Sequence, residues 1–335
     1  MVKQQPLSAQ LVPKRQETQC NGIKAKDSDK LNNIFNYVIL GTKIVFGIVY
    51  TVYTYLQLLL TTFYCAEKTL RNKIILVTGA GRGLGREISL QLSREGARVI
   101  CVDINTEGVK ETCEMIKNEQ NIDDLHTEYY TTNVADPVQV KELAKTVENK
   151  WGRVDILINN AGIVASTPLL EVTDDSLRRM VDVNLVSQFW MVRAFLPNML
   201  RINSGHIVAT SSIAAFSCAA NIAPYTATKY GVTGFMSCLG EELRANPNNK
   251  ILTTTIHPFF LDSEPIKVKH WDVKSVLPSL SIPEVATAAI RGIKKNHVVV
   301  SIPEVLKFSM SFLWLMPQAA QNYWRDIFKA EIDTV

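Results

Sequence analysis

The sequence predicts an α/β protein with a doubly wound parallel sheet, preceded by a hydrophobic membrane-anchor helix. Two patterns indicate the sheet: short apolar segments alternate with helical ones, and a glycine-rich turn joins the first apolar segment to the first helix. A third pattern indicates the anchor, because residues 34–64 contain a single charge, Lys43. The chain has 335 residues, 47% of them hydrophobic. That is enough for one core of roughly 250 residues plus extensions.

The alternation of strands and helices runs from residue 73 to residue 301. The predicted strands cover residues 73–78, 98–103, 127–132, 154–159, 205–210, 250–256 and 297–301. The predicted helices cover residues 83–95, 106–119, 137–151, 174–200, 224–246 and 283–295. Parallel strands joined by helical crossovers bind their ligands at the carboxyl ends of the strands. The pattern therefore predicts that a small-molecule site lies along that edge of the sheet.

The glycine-rich turn lies between the first predicted strand, which ends at Thr78, and the first helix. Gly79, Gly83 and Gly85 follow the strand. Glycines permit a tight turn and a close approach of the backbone to a ligand, and the new helix offers unpaired N–H groups to a phosphate. In this strand–turn–helix context the turn predicts the dinucleotide site of a Rossmann fold.

Asp103 ends the second predicted strand, eighteen residues after Gly85. An acidic side chain there accepts hydrogen bonds from the adenine-side ribose and repels a 2′-phosphate, which favours NAD(H). Arg82, inside the turn, would instead pair with a 2′-phosphate, so NADP(H) stays open as the cofactor. Asp103 could also be only a turn residue at the end of its strand.

Small and amide residues directly follow the fourth predicted strand. Asn160, Ala161 and Gly162 stand at its carboxyl end. Residues of this kind fit a ligand crevice at the edge of a parallel sheet. Taken alone, the same residues could form an ordinary turn.

Ser212, Tyr225 and Lys229 form a further candidate site. The serine lies thirteen residues before Tyr225, and the lysine lies four residues after it. Residues four apart share one face of a helix, so an ammonium group there would favour the phenolate and lower the tyrosine pKa. Ser212 would then hydrogen-bond the oxygen that gains or loses a proton. The set suits interconversion of an alcohol and a carbonyl, although Tyr-x-x-x-Lys alone also arises by chance.

At these residues the chain resembles the short-chain dehydrogenase/reductase family over roughly residues 72–301. The residues in the family's order and spacing are Thr78, Gly79, Gly83, Gly85, Asn160, Ala161, Gly162, Asn184, Ser212, Tyr225 and Lys229. The resemblance implies that Tyr225 is the acid/base and that Lys229 lowers its pKa and holds the nicotinamide ribose. It also implies that Ser212 positions the substrate oxygen and that Asn184 holds a water of the proton relay. Further cofactor contacts that it implies come from Arg82, Leu84, Asp103, Asn133, Val134, Pro258 and Ser263.

Two positions depart from the family pattern. Asn133 stands where the family usually has an aspartate against adenine, so this contact would be neutral. Phe259 and Phe260 follow Pro258 where many members read Pro-Gly. With the hydrophobic segment, they make the chain similar to the branch of membrane-associated retinol dehydrogenases and lipid-droplet 17β-hydroxysteroid dehydrogenases. Ser263 keeps the hydroxyl of a threonine that commonly contacts the nicotinamide amide in that branch.

The hydrophobic segment is predicted to anchor the chain in a membrane. No charge occurs from Ile44 to Phe63, which is long enough for a helix to cross a hydrocarbon core of about 30 Å. Its late start and the lack of a small-residue cleavage site argue against a removed signal peptide. Lys43 and Gln57 leave open whether the segment spans the bilayer or lies as a hairpin in one leaflet. A core helix of a soluble domain is the alternative.

The predicted domain organisation follows from these segments. Residues 1–33 form a polar tail, 34–64 the anchor, 70–301 the dehydrogenase domain, and 302–335 an apolar extension. We expect the tail to be disordered because it is rich in Gln, Lys, Asn and Ser. The extension could be a second membrane contact, a dimer surface or a packed terminal helix. The segment from Phe259 to Leu280 is predicted to be a lid over the substrate.

Metal and nucleic-acid sites are not predicted. The six cysteines form no Cys-x-x-Cys pair, and the histidines are scattered; His257, which precedes Pro258, is interpreted as structural. The net charge is only +4, and no basic stretch is interleaved with aromatic residues as in a single-strand-binding site.

The sequence therefore predicts a membrane-anchored, NAD(H)-dependent dehydrogenase/reductase that acts on a hydrophobic alcohol or carbonyl, such as a retinoid, steroid or fatty alcohol. Membrane lipid and a second copy of the chain are the expected partners. The expected location is the endoplasmic reticulum membrane or the lipid droplet, with the catalytic domain in the cytosol. Two alternatives stay open: an NADP(H)-dependent carbonyl reductase, and a catalytically idle protein that uses the fold as a lipid-droplet binding or scaffolding module.

Overall fold

A computed structural model of the chain shows two compact units, Met1–Ala66 and Glu67–Val335. The residues that it describes are 35, 37–54, 56–57, 67–120, 126–262, 273–274, 278–306, 312–313, 315–327 and 331–332. The predicted polar tail, residues 1–33, lies outside this described part of the chain.

The first unit contains the apolar helix α1 (Tyr37–Thr54). This helix has a mean hydropathy of 1.5, and none of it is buried. Its eighteen residues extend about 27 Å at ~1.5 Å per residue, close to the thickness of a bilayer core. By length and composition α1 is a candidate membrane anchor. The exposed side chains of α1 lack the burial that a core helix would have.

The second unit is built on a parallel sheet. The strands of this sheet are β1 (Ile74–Thr78), β2 (Arg98–Asp103), β3 (Thr127–Thr131), β4 (Ile156–Asn159), β5 (Gly205–Thr210), β6 (Ile251–Pro258) and β10 (Val299–Ile302). Two short strand pairs lie outside it: β7 (Leu261–Asp262) with β9 (Leu280–Ser281), and β8 (Val273–Lys274) with β11 (Glu331–Ile332). The order in the main sheet is β10-β6-β5-β4-β1-β2-β3, which is doubly wound with its switch point between β1 and β4.

Helices cover both faces of the sheet. They are α2 (Gly83–Arg94), α3 (Thr106–Gln120), α4 (Pro137–Trp151), α5 (Asp174–Val181), α6 (Ser187–Ile202), α7 (Ala223–Arg244), α8 (Ile282–Lys294) and α9 (Gln318–Ile327). Side chains of α2, α3 and α8 pack on one face, and those of α4, α6 and α7 pack on the other. Because both faces are covered, β1 is buried along its whole length and reads as a continuous apolar run.

The predicted α/β doubly wound sheet is confirmed, with one difference in the helices. The helix predicted over residues 174–200 consists of α5, a π-helical turn (Asp182–Val186) and α6. A π turn adds a residue to the helical repeat and often marks a functional position. Here it carries Asn184, which is fully buried.

A series of hydrogen-bonded polar side chains runs along the amino edge of the sheet, from the half-buried Lys68 to the buried His206 and Thr254. The Nζ atom of Lys68 lies 2.7 Å from Nδ1 of His206, and Nε2 of His206 lies 2.8 Å from Oγ1 of Thr254. The Thr254 hydroxyl donates to the His297 carbonyl at 2.6 Å. Since an ammonium group only donates, His206 accepts at Nδ1 and donates from Nε2. Both ring nitrogens of His206 and the Thr254 hydroxyl therefore have protein partners.

The C-terminal extension includes α9. Gln321 of this helix is 8% exposed, and Tyr323 is 64% exposed. The Gln321 side chain donates to the Met316 carbonyl at 2.9 Å. The helix thus turns a glutamine toward the protein and an aromatic ring toward solvent. Most of the predicted lid, including Ser263, lies outside the described residues.

Candidate active site

The candidate site lies at the carboxyl edge of the sheet, around the ends of β1, β4, β5 and β6. Thr78 and Thr210 end β1 and β5, and their side chains contact the residues that follow β4. Because parallel strands end at the same edge, the predicted cofactor and catalytic residues converge there. The site extends from the glycine turn to the tyrosine.

The glycine turn between β1 and α2 is held by side chains from neighbouring elements. The Gly81 N–H donates to Oδ2 of Asp103 at 2.8 Å, and the Arg86 guanidinium donates to the Gly81 carbonyl at 2.6 Å. A Cβ atom on Gly85 would lie 2.0 Å from the Gly79 carbonyl oxygen, so no larger residue fits there. These hydrogen bonds and the lack of space beside Gly85 therefore fix the shape of the turn.

The start of α2 fits a phosphate group. Its N-cap residue, Arg82, makes no side-chain cap, and no acidic residue lies in the first turn. Gly83 has a φ of +56° and open space where a side chain would lie, and Arg82 is exposed beside it. Uncapped N–H groups at a helix start bind anions well. Leu84 packs against the core beneath the turn.

Asp103 is the last residue of β2, and Asn133 lies two residues after the end of β3. The Asp103 carboxylate accepts from the N–H groups of Gly81 and Asn105, at 2.8 and 2.9 Å. Oδ1 of Asn133 accepts from the Ala135 N–H at 3.1 Å, and Val134 is buried in the core. Asp103 thus helps to build the glycine turn.

The residues after β4 hydrogen-bond the last residues of the neighbouring strands β1 and β5. The Thr78 hydroxyl accepts from the N–H groups of Asn160 and Ala161, at 2.9 and 3.0 Å. The Asn160 amide donates back to the Thr78 carbonyl at 3.1 Å, and its oxygen accepts from the Thr210 hydroxyl at 3.3 Å. A Cβ atom on Gly162 would lie 3.6 Å from Nζ of Lys229. This segment therefore lies between the glycine turn and the lysine.

Tyr225 and Lys229 lie in the first two turns of α7 and face the same side. Nζ of Lys229 is 5.6 Å from the centroid of the Tyr225 ring, and it donates to the Thr210 carbonyl at 2.9 Å. Ser212 caps a 3₁₀ turn (Ile213–Ala215), where its Oγ accepts from the Ala214 N–H at 3.1 Å. The Ser212 hydroxyl also hydrogen-bonds the Tyr225 phenol. The structure thus brings the three predicted side chains together.

The pKa directions at this cluster follow from burial. Burial raises the pKa of the Tyr225 phenol above its usual value, and the Ser212 hydrogen bond lowers that pKa only in part. Burial also lowers the pKa of Lys229 to about 8. The predicted lowering of the tyrosine pKa is therefore wrong for this structure, because desolvation of the phenolate dominates. At neutral pH Tyr225 is a phenol that can donate its proton.

Asn184 is held by backbone groups of the segment after β4. Its Oδ1 accepts from the Ile163 N–H, and its Nδ2 donates to the Ile163 carbonyl, both at 2.8 Å. Nδ2 also lies 3.2 Å from the Thr228 hydroxyl, which itself donates to the Tyr225 carbonyl at 2.7 Å. The Asn184 amide thus connects the π turn to α7, the helix that carries Tyr225.

Three contacts at the site involve residues that sequence reasoning did not select. Thr210 bonds Lys229, Thr228 bonds Asn184, and the buried His257 lies 3.1 Å from the Ser212 carbonyl. Thr210 could have been found from the sequence, because it is a polar residue at the end of a predicted strand. No local pattern indicated the other two. Among the described residues, no three His, Cys, Asp or Glu side chains form a group that could hold a metal ion.

Comparison with known families decides the class of protein. A family model described as short chain dehydrogenase matches residues 73–270. The chain belongs to the short-chain dehydrogenase family. The predicted family and enzyme class are therefore confirmed.

Relatives of this short-chain dehydrogenase include two vertebrate enzymes. It is 33% identical to epidermal retinol dehydrogenase 2 of Homo sapiens over 251 residues, which cover 75% of this chain and 80% of the relative. It is 28% identical to 17-beta-hydroxysteroid dehydrogenase 13 of Mus musculus over 277 residues, which cover 82% of this chain and 87% of the relative.

Solved structures share the fold of this short-chain dehydrogenase. A short chain dehydrogenase/reductase from Burkholderia phymatum in complex with NAD gives a TM-score of 0.64 at 22% identity, covering 73% of this chain and 93% of the other. A metagenomic short-chain oxidoreductase in complex with NADP gives a TM-score of 0.58 at 25% identity, covering 70% and 96%.

Proposed function

We propose that this short-chain dehydrogenase is anchored in a membrane and interconverts a hydrophobic alcohol and its carbonyl, with Tyr225 as the acid/base. The observation that carries the proposal is the convergence of Ser212, Tyr225, Lys229 and Asn184 beside the glycine turn. A protein that used the fold only for binding would have no need to bury a lysine and a tyrosine together at this edge, since burial disfavours the charged form of each side chain.

The residues of the chain divide the proton chemistry between them. Ser212 would hydrogen-bond the substrate oxygen, and the Tyr225 phenol would donate its proton to that oxygen as a carbonyl becomes an alcohol. In the oxidative direction Tyr225 would take the hydroxyl proton as a phenolate, and the Lys229 ammonium would offset only part of the desolvation that raises the tyrosine pKa. Asn184, fixed by Ile163, would hold the relay that returns the proton to solvent. Bound NAD would accept the hydride in oxidation, and bound NADH would donate it in reduction.

NAD is the favoured cofactor, with NADP as the alternative. Asp103 places a carboxylate at the end of β2, which would accept from ribose hydroxyls and repel a 2′-phosphate. The exposed Arg82 favours the alternative. The uncapped start of α2 would hold the pyrophosphate, and Asn133, Val134, Pro258 and Ser263 are proposed to complete the cofactor contacts.

The substrate class and location are inferred from relatives and from α1. Two relatives are named for retinol and for a 17β-hydroxysteroid, both apolar alcohols. An apolar substrate partitions into lipid, and α1 would keep the enzyme at that lipid. We therefore propose a retinoid, steroid or fatty alcohol as substrate at the endoplasmic reticulum membrane or the lipid droplet. The catalytic domain would lie in the cytosol.

A Tyr225→Phe variant of the full chain in detergent tests this function. It would be assayed with retinol, estradiol and long-chain alcohols, using NAD and then NADP. We expect kcat to fall by about 10²–10⁴-fold, as for loss of a general acid/base, with cofactor affinity nearly unchanged. Tyr230→Phe, five residues further along the same helix, is the matched control and should keep its activity.

The assay also separates the alternatives. Retained turnover in Tyr225→Phe would refute the assignment of this tyrosine. Turnover with NADP alone would favour the carbonyl reductase. No turnover by the unmodified chain with any alcohol or either cofactor would favour the catalytically idle binding protein.

A further inference from the structure

His257 is a buried histidine beside the site that the proposed mechanism does not use. It is the seventh residue of β6, is 0% exposed, and directly precedes Pro258 at the carboxyl edge of the sheet. Burying an imidazole requires compensating hydrogen bonds, so its contacts indicate its purpose.

The contacts of His257 join β6 to the turn that carries Ser212. Nδ1 lies 3.1 Å from the Ser212 carbonyl oxygen. Since a carbonyl oxygen only accepts, Nδ1 must carry the proton and donate it. The imidazole ring also packs on the Phe216 ring, with 4.5 Å between centroids and 42° between planes. One side chain thus holds both ends of the segment from Ser212 to Phe216.

The position of the Ser212 carbonyl affects the geometry of the site. Ser212 has an extended backbone, with φ at −164°, and the 3₁₀ turn begins at the next residue. On its amino-terminal side the Ser211 N–H donates to the Ile256 carbonyl at 2.8 Å. His257, the residue after Ile256, holds the carbonyl on the other side. A rotation about the N–Cα bond of Ser212 would move its carbonyl and its Oγ together, and so shift Oγ away from the Tyr225 phenol.

We propose that His257 is a positioning residue that fixes the Ser212 hydroxyl through the Ser212 carbonyl. The proposal rests on the proposed function, in which Ser212 bonds the reacting oxygen. Its specific content is that Nδ1, and not Nε2, carries the proton and makes the required contact. The imidazole touches neither substrate nor cofactor in this scheme. Its role is to remove a rotational freedom from the turn before substrate binds.

Two amide substitutions separate the ring nitrogens. In His257→Asn the amide nitrogen is attached to Cγ, as Nδ1 is, and can still donate to the Ser212 carbonyl. In His257→Gln the amide nitrogen lies one bond further out, near the position of Nε2. We expect His257→Asn to keep kcat within about threefold, and His257→Gln to lower kcat about tenfold through misplacement of the reacting groups. The dissociation constant for NAD should change less than about twofold in both variants, because the cofactor contacts are kept.

His206→Gln is the matched control, because His206 is buried in the same sheet at its opposite edge. It is expected to lower the melting temperature while keeping kcat. If His257→Asn and His257→Gln lose equal kcat, or if His206→Gln loses as much, the effect is general destabilisation and the proposal is overturned. A loss of NAD affinity that matches the loss of kcat would also overturn it.

A second measurement does not depend on catalysis. Nitrogen NMR of the full chain in detergent, with isotope-labelled histidine and His257→Gln for assignment, reports which ring nitrogen is protonated. We expect His257 to carry its proton on Nδ1; a proton on Nε2 alone would overturn the proposal. If the enzyme oxidises none of the alcohols tested, the proposed function fails, while this measurement still tests the contact.

Discussion

Each edge of the sheet holds a desolvated lysine, Lys68 half-buried at the amino edge and Lys229 buried at the carboxyl edge, and their hydrogen-bond networks differ. Burial lowers the pKa of Lys68 at the amino edge and of Lys229 at the carboxyl edge to about 8. Lys68 belongs to a chain of hydrogen bonds that closes on the His297 carbonyl. Lys229 donates to the Thr210 carbonyl and lies 5.6 Å from the centroid of the Tyr225 ring. We call the amino edge closed, because its hydrogen bonds end on a backbone carbonyl, and the carboxyl edge open, because the buried Asn159 amide there has no partner among the described residues.

The difference favours the carboxyl edge as the ligand site. Buried polar atoms normally find partners within the protein. At the carboxyl edge the side chain of Asn159, which ends β4, is buried, and neither of its polar atoms has a hydrogen-bond partner among the described residues. His206, at the start of β5 on the amino edge, uses both ring nitrogens. An amide left without partners at one edge is consistent with a site completed by cofactor and substrate.

The largest effect should come from Lys229→Met, which sharpens the comparison. It removes the ammonium that we propose to hold the ribose and to offset part of the cost of the phenolate, so we expect kcat/KM to fall about 10²–10³-fold. At pH 7 the depressed lysine pKa costs the fold up to about 3 kcal/mol, since a tenfold change in a protonation equilibrium corresponds to about 1.4 kcal/mol. Removing the buried amine should therefore leave the free energy of unfolding unchanged or higher, as measured by urea titration.

Lys68→Met is the matched control for this variant. The same substitution at the closed edge should keep kcat/KM within about twofold, because no reacting group lies there. If Lys68→Met lost as much activity as Lys229→Met, the contrast between the edges would be wrong.

A smaller effect is expected at the cofactor end of the open edge, in Asp103→Asn. Loss of the negative charge removes the repulsion of a 2′-phosphate, while the amide oxygen can still accept from the Gly81 N–H. We expect the preference for NAD over NADP, as a ratio of kcat/KM values, to fall about tenfold or more. Asp155→Asn is the control: this carboxylate also accepts a backbone N–H, from Ile74 at 2.9 Å, but at the amino edge. An unchanged ratio in Asp103→Asn would contradict the assigned role.

The parts of the site that the sequence predicted are local in the chain. The glycine turn is contained in a strand–turn–helix segment, and Tyr225 and Lys229 are one helical turn apart, so their juxtaposition follows from backbone geometry. The alternation of apolar segments likewise predicted the sheet, because each strand is covered on both faces.

The parts that the sequence did not predict depend on distant residues. His257 and Ser212 are 45 residues apart, and Lys68 and His206 are 138 apart. The direction in which the Tyr225 pKa moves was missed because it depends on how much water the packed helices exclude. The π turn at Asn184 was read as continuous helix, since its apolar spacing differs from an α-helix by a single residue.

The smallest expected effect is on the pH dependence of stability, through His206 at the closed edge. Burial and the neighbouring Lys68 lower the pKa of His206 to about 3, so the folded protein keeps this ring neutral while the unfolded chain protonates it near pH 6.5. Stability is therefore present above about pH 6.5 and is lost as pH falls toward 3. When the pH falls from about 7.5 to 5.5, His206 should lower the free energy of unfolding by about 1.3 kcal/mol. His206→Gln should remove that part of the pH dependence. Urea titrations of both proteins at the two pH values measure the difference. An identical loss of stability in His206→Gln would show that other groups cause it, and that the closed chain at the amino edge does not keep its histidine neutral.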